Sequence, residues 1–183
     1  MKKILVFLLI SLAAKAQLSS KAEVVLVTVA PGKELHSAFG HTILWVNDPA
    51  NGIDRAYSYG TFDFNTEHFY WKFLMGTLPY SISVHSMQDE FNYNAQYEKR
   101  GMIAQKLQLD SLQKNAIFQA LETNLLPENR EYAYKFFYDN CSTRIRDMIE
   151  KNAPGKYQWN QNPSLEGKSY RDWMNKYLES NSW

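Results

Sequence analysis

Residues 41–60, HTILWVNDPANGIDRAYSYG, constrain the fold more than any other stretch. An apolar run, HTILWV, and an alternating run, IDRAYSYG, flank the turn cluster NDPANG. Period-two alternation puts successive side chains on opposite faces of a strand, and Asn, Asp, Pro and Gly reverse the chain. The stretch therefore predicts a hairpin of strands over 41–46 and 53–60, with His41 near its open end. The β-branched run AEVVLVTVA, 22–30, predicts a strand before it, and PGKELHSAFG between them reads as loop.

Downstream, TEHFYWKFLMG, 66–76, has aromatic and apolar residues at helical spacing. It reads mainly as core packing, with a lipid interface or an acyl groove as the alternatives. Residues 80–87 read as a strand, 88–100 lean to helix, and 101–109 read as a strand. Asp110 with Gln113 makes a capping-box-like start for a helix to about Leu125. Residues 132–138 read as a short strand or extended lead-in, followed by a helix from about Cys141 to Lys151. Residues 153–168 read as loop and 169–178 as a last amphipathic helix. Strands mixed with intervening helices predict α+β: a small antiparallel sheet with packed helices.

The first residues, MKKILVFLLISLAAKAQ, place two lysines before a short apolar run and a small-x-small site at Ala14-Lys15-Ala16. This predicts a secretory signal peptide over 1–16 and a single domain over 17–183. Without Lys2, Lys3 and Lys15, 17 basic residues face 19 acidic ones. Nucleic acid needs a dense basic footprint, so it is not an expected partner. No further stretch reaches membrane-spanning length, which leaves peripheral contact as the expected relation to a membrane. One cysteine and four scattered histidines show no metal-ligand spacing, and no Gly-rich phosphate loop occurs, so neither metal nor cofactor is expected.

The single cysteine, Cys141, lies in KFFYDNCSTRIRDMIEK, where an aromatic run meets a helical one. Asn140 is a good N-cap type, Asp139 stands just outside, and Arg144 and Arg146 add positive potential. A thiol in the first turn would meet backbone N–H groups and the positive end of the helix dipole. Both favour thiolate, and the N–H groups could also receive an oxyanion. The plain alternative is a small buried hydrophobe. A nucleophile needs a base. His41, beside Gly40 and opening a strand, leads on position; His36 and His85 stay open, and His68 has no chemical context.

AFGHTILWV, AYSYGTFDF, FLMGTLPYSIS, QKLQLD and NLLPENREYAYKFFYDNCSTRIRD, in this order and spacing, resemble the periplasmic domain of the Bacteroidota lipoprotein N-acyltransferases, Lnb. The similarity spans about residues 22–180, and FGH and FYDNCSTR are its specific segments. The resemblance implies a circularly permuted papain-like fold of the NlpC and lecithin:retinol acyltransferase type. It implies a Cys141–His41 dyad and a third member on the strand after the histidine strand: Tyr57 or Tyr59, with Asp63 as runner-up. Asp139, Asn140 and Arg144 would support the nucleophile. The implied reaction moves an acyl chain from a phospholipid donor, through a thioester, to the N-terminal amine of a lipoprotein acceptor. Many members of that family continue into a membrane-embedded region that the sequence to Trp183 does not contain. A short member, a truncated one, or one served by a membrane-embedded partner are the readings this leaves. Two other functions stay in view: a cysteine peptidase or amidase on cell-wall peptides, and a non-catalytic envelope protein.

Overall fold

The computed structural model describes residues 17–155, 157–158 and 167–178. Its strands are β1 (Glu23–Val29), β2 (His41–Asp48), β3 (Ile53–Thr61), β4 (Pro79–His85), β5 (Met102–Lys106) and β6 (Glu131–Ala133). They form one open antiparallel sheet in the order β5-β1-β2-β3-β4-β6. The helices are α1 (Phe69–Leu74), α2 (Met87–Phe91), α3 (Ser111–Leu125), α4 (Cys141–Asn152) and α5 (Tyr170–Leu178). The architecture is α+β. The expected signal peptide, 1–16, and residues 159–166 of the expected loop lie outside the described residues.

The hairpin forms as expected. A 3-10 turn at Pro49–Asn51 and Gly52 at φ +65° reverse the chain, the left-handed value being one that glycine adopts at little cost. The turn sets the register: Asp48 faces Ile53, Leu44 faces Tyr57, and Ile43 faces Ser58. That register divides the sheet into two faces. On one, Val24, Leu44, Val46, Tyr57, Tyr59 and Ile82 pack against Ile117, Phe118 and Leu121 of α3 and Ile145 and Ile149 of α4. On the other, Val25, Val27, Val29, Ile43 and Ala56 form a smaller cluster, with Trp45, Met87 and Met102 against it.

The helix ends follow from their caps. Asp110 and Gln113 complete a reciprocal capping box at α3. Asn140 accepts from the N–H groups of Ser142 and Thr143 while the Thr143 hydroxyl accepts from the Asn140 N–H, so α4 begins at Cys141. Ile145 and Ile149, four apart, form its buried stripe.

The expected helix over 88–100 is α2 followed by a wider π turn at Asn92–Tyr97. Arg100 then ties this segment to the end of β1, donating to the Ala30 carbonyl at 2.7 Å and to Asn94 Oδ1 at 3.1 Å. The expected helix over 66–76 shrinks to six residues, because His68 stands at φ 56° and blocks extension toward the N-terminus. Its reading as core packing is overturned: Tyr70 is 80% exposed and Trp71 66%.

Tyr57, fully buried, donates from its hydroxyl to Glu122 Oε1 at 2.5 Å, and Arg55 Nη1 reaches the same carboxylate at 2.6 and 2.7 Å. The bond fastens β3 to α3. Glu122→Ala strands the buried hydroxyl and is expected to lower the urea unfolding free energy by about 1–3 kcal/mol. Tyr57→Phe with Glu122→Ala removes both partners and should recover part of that loss; equal losses in the two proteins would assign the effect elsewhere.

Candidate active site

Two ends meet where β2 begins. Helix α4 lies across β2 and β3 on the larger core face, and its first turn reaches the start of β2. There the Thr42 hydroxyl and the Ser142 hydroxyl share a hydrogen bond of 2.8 Å. His41 precedes Thr42, and Cys141 precedes Ser142. The pin therefore holds the imidazole-bearing and thiol-bearing residues at one end of the sheet.

His41 and Cys141 both line a cavity of about 440 Å³. Its walls are largely aromatic, with Phe39, Tyr59, Phe62, Phe73, Tyr80 and Phe136 among them. Cys141 is partly buried and packs at the margin of the core, with its sulfur 3.9 Å from the Ser142 hydroxyl. The plain reading, a thiol sealed in hydrocarbon, does not describe it. No hydrogen bond joins the sulfur to the imidazole.

Register explains that separation. His41 faces Val29 across the sheet and sits on the same face as Ile43 and Ser58, whereas Thr42 points to α4. The imidazole thus starts on the face opposite the helix. It reaches the shared cavity at the sheet end, between Gly40 and Gly60, which also line that cavity. Gly60 stands at φ +103° beside a register shift in β3, and a Cβ there would lie 4.0 Å from His41 Cε1. Both features leave room around the ring.

On its own face, His41 also borders a second, more polar cavity of about 490 Å³. Ser58, Ser83, His85, Glu90 and Arg100 line it. His36, Gly40, His41, Gly60 and Phe62 belong to both walls, so one cleft has an apolar half and a polar half that join at the imidazole.

The hydrogen-bond partner of His41 is Ser58, whose Oγ lies 2.7 Å from Nε2. The expected third members lie elsewhere. Tyr57 is committed to Glu122, and the Tyr59 hydroxyl accepts from Asn124 Nδ2 at 2.6 Å, although the Tyr59 ring lines the apolar half. Asp63 closes a turn with Asn65 and Thr66. The turn at Pro49–Asn51 contained the signal: once the hairpin closes there, Tyr57 and Tyr59 fall on the wrong face and Ser58 on the right one.

Two expected supports are spent locally. Asp139 forms a two-point ion pair with Arg144, at 2.5 and 2.9 Å, and the Arg144 guanidinium lies 3.6 Å over the Tyr132 ring. Arg144 borders neither half of the cleft. Arg146 pairs with Asp147. Asn140 caps the Ser142 and Thr143 N–H groups, which removes them as oxyanion donors. The Cys141 N–H is outside that cap. His36 lines both halves, His85 only the polar half, and His68 neither.

Burial, with the nearby Arg100 charge second, pushes the His41 imidazole down from its ordinary 6.5 to about 4. At neutral pH the ring is uncharged. If Nε2 carries the proton and donates to Ser58, Nδ1 keeps its lone pair and is the basic nitrogen.

The chain matches the family model of the Lnb N-terminal periplasmic domain over residues 13–176. It belongs to that family. No curated protein and no solved structure matches it. Membership assigns this Lnb-type domain to the exported proteins of the periplasm. Among its described residues no helix is long and apolar enough to cross a membrane, and no group of His, Cys, Asp or Glu is arranged to hold a metal ion.

Proton NMR of the imidazole, assigned by its disappearance in His41→Ala, is expected to titrate with a midpoint near 4. The ring gains its proton only as the pH falls through that value. A midpoint at the ordinary 6.5 would mean that the ring is solvated and clear of Arg100.

Proposed function

We propose that this domain is a thiol acyltransferase that moves an acyl chain from a phospholipid to the N-terminal amine of a lipoprotein. The observation that carries the reading is the shared cleft: one thiol at a helix N-terminus and one neutral imidazole border the same aromatic cavity. A neutral imidazole can take a proton from a thiol, whereas an imidazolium cannot. The fold is proposed to be of the permuted papain-like type, with its helix-borne thiol and strand-borne imidazole at one sheet end.

In the first step His41 takes the Cys141 proton as sulfur attacks the ester carbonyl. The Cys141 N–H faces the developing oxyanion. The ester C–O bond breaks, the leaving alkoxide receives the proton from His41, and a lysophospholipid departs. In the second step the lipoprotein amine attacks the thioester, His41 takes the amine proton, the C–S bond breaks and the sulfur regains that proton. The apolar half of the cleft suits the acyl chain. The polar half suits the headgroup of the leaving lysophospholipid and then the incoming amine. Ser58 acts through His41 as a positioning residue, holding the ring in one tautomer.

A largely aromatic thiol cavity favours a lipid acyl group over a cell-wall peptide, which would bring many backbone polar groups to be satisfied there. This is why hydrolysis of peptidoglycan peptides ranks second. A membrane-embedded partner would act in the second step, where the lipoprotein amine enters after the lysophospholipid has left.

Incubation with phosphatidylethanolamine vesicles followed by intact mass measurement is expected to show one acyl chain on Cys141. Cys141→Ala should show none, and His41→Ala should slow acylation by about 10²–10⁴-fold. A folded wild type that stays unacylated beside accessible lipid, while peptidoglycan fragments are cleaved only when Cys141 is present, would transfer the assignment to the hydrolase. The acylation rate should hold down to about pH 5 and fall as His41 gains its proton near pH 4. Loss centred near pH 6.5 would place a different base in the reaction. The charged and titratable groups that line the polar half beside His41 are Arg100, His36, His85, Asp89, Glu90 and Tyr93.

A further inference from the structure

The segment between β3 and β4 shows water an unusual set of side chains. Phe64 is 67% exposed, Tyr70 80%, Trp71 66%, Phe73 41% and Met75 58%. Ile103 and Leu112 are exposed singly, and a smaller exposed group, Phe91, Tyr93 and Tyr97, follows β4 but does not line the thiol cavity. Single exposed residues need no explanation, whereas a contiguous patch marks an interaction surface.

The patch is built rather than loose. The Phe62 ring meets Phe64 at 5.0 Å and Phe69 at 5.8 Å, and Phe69 stacks on Phe73 at 6.2 Å. Phe62 also meets Tyr80 of β4 at 5.3 Å, which fastens this ladder to the sheet. Its inner members, Phe62 and Phe73, line the cavity that holds Cys141. Tyr70, Trp71 and Met75 lie on its outer side in water. The exposed patch and the wall of the thiol cavity are thus one continuous aromatic surface.

We propose that residues 62–76 form a membrane-docking spur that inserts Trp71, Tyr70 and Met75 into the interface of a phospholipid bilayer and sets the cavity mouth against the lipid. The purpose rests on the acyl-transfer reading. A diacyl lipid that left the bilayer through water would pay about 0.8 kcal/mol for every CH₂ exposed, so the mouth must touch the lipid phase. Tyr and Trp are suited to that depth, where one side of the ring is apolar and the other wet. Within the segment Asp63 and Glu67 oppose Lys72, so insertion is apolar and does not require anionic lipid.

The test uses the secreted full chain carrying Cys141→Ala, with pure phosphatidylcholine vesicles in a flotation assay. The protein is expected to float with the vesicles and to keep floating in 1 M salt at roughly the same level, since apolar insertion is not screened. Trp71→Ala with Met75→Ser should lower the partition about tenfold or more, at unchanged circular dichroism. Tyr97→Ala, a similarly exposed aromatic outside the spur, should leave it unchanged. Chain-brominated phosphatidylcholine should quench an emission component that Trp71→Phe removes.

Failure to float, or equal flotation of the Trp71→Ala Met75→Ser protein, overturns the spur. So does a concentration-dependent dimer that the same two substitutions dissolve, which would make the patch a contact between copies. Acylation of Cys141 by the water-soluble ester p-nitrophenyl butyrate separates the two proposals. Floating protein whose thiol no ester acylates sinks the acyltransferase and keeps the spur. A soluble ester that acylates a chain unable to float sinks the spur and keeps the chemistry.

Discussion

The Thr42–Ser142 hydrogen bond sits between the two halves of the chain and marks where they meet. It spans 100 residues, so ordering it is a consequence of the fold and not a local preference. Three constraints prepare it. The Pro49–Gly52 turn fixes which β2 residues face α4, Asn140 fixes where α4 begins, and Ile145 and Ile149 fix how α4 lies on the sheet. A slip of one residue in β2 would turn Thr42 away from the helix and send His41 toward it. The hairpin register is therefore as much a property of the site as of the sheet.

That dependence accounts for what could be read in advance. The strand runs, the Asp110 and Asn140 caps and the start of α4 at Cys141 are local matters, decided within a few residues by periodicity and side-chain hydrogen bonds. The His41 partner is not local. Tyr57 and Tyr59 look suited to orient an imidazole because they are aromatic donors on the next strand, but pairing parity sends both to α3, onto Glu122 and Asn124. Arg144 looked like a cation for the thiol, and the geometry gives it to Asp139 and the Tyr132 ring instead. Such pairings are decided by three-dimensional competition for partners, which spacing along a chain does not encode. The α1 segment misled for a related reason: helical aromatic spacing marks an apolar surface without saying whether protein covers it.

Position at the sheet end also reconciles two demands on the imidazole. The proposed chemistry asks that it be shielded enough to stay neutral, yet reach a thiol that belongs to the other face. Midway along β2 those demands would conflict, since a full sheet would stand between ring and sulfur. At the first residue of β2, with Gly40 before it and Gly60 beside the ring, those two positions put no side chain into the gap. A Cβ at Gly60 would make only ordinary contact with the ring, so it is the φ of +103° that calls for glycine there, while burial keeps the basicity low.

The same position bears on how the pair would work in the proposed acyl transfer. A resting thiolate–imidazolium pair needs a ring that holds its proton at neutral pH, and a ring with a value near 4 beside Arg100 does not. In the proposed acyl transfer the proton would instead move as the sulfur attacks, which would make that step sensitive to how the ring is aimed. Ser58 supplies that aim through Nε2 without adding a negative charge that would restore the basicity. A carboxylate in its place would raise the pKa and favour the ion pair, at the cost of placing another charge in the cavity that Arg100 and Glu90 also line. The hydroxyl orients the ring and leaves it neutral, and an acyl chain in the aromatic half of the cleft would keep it so by excluding water.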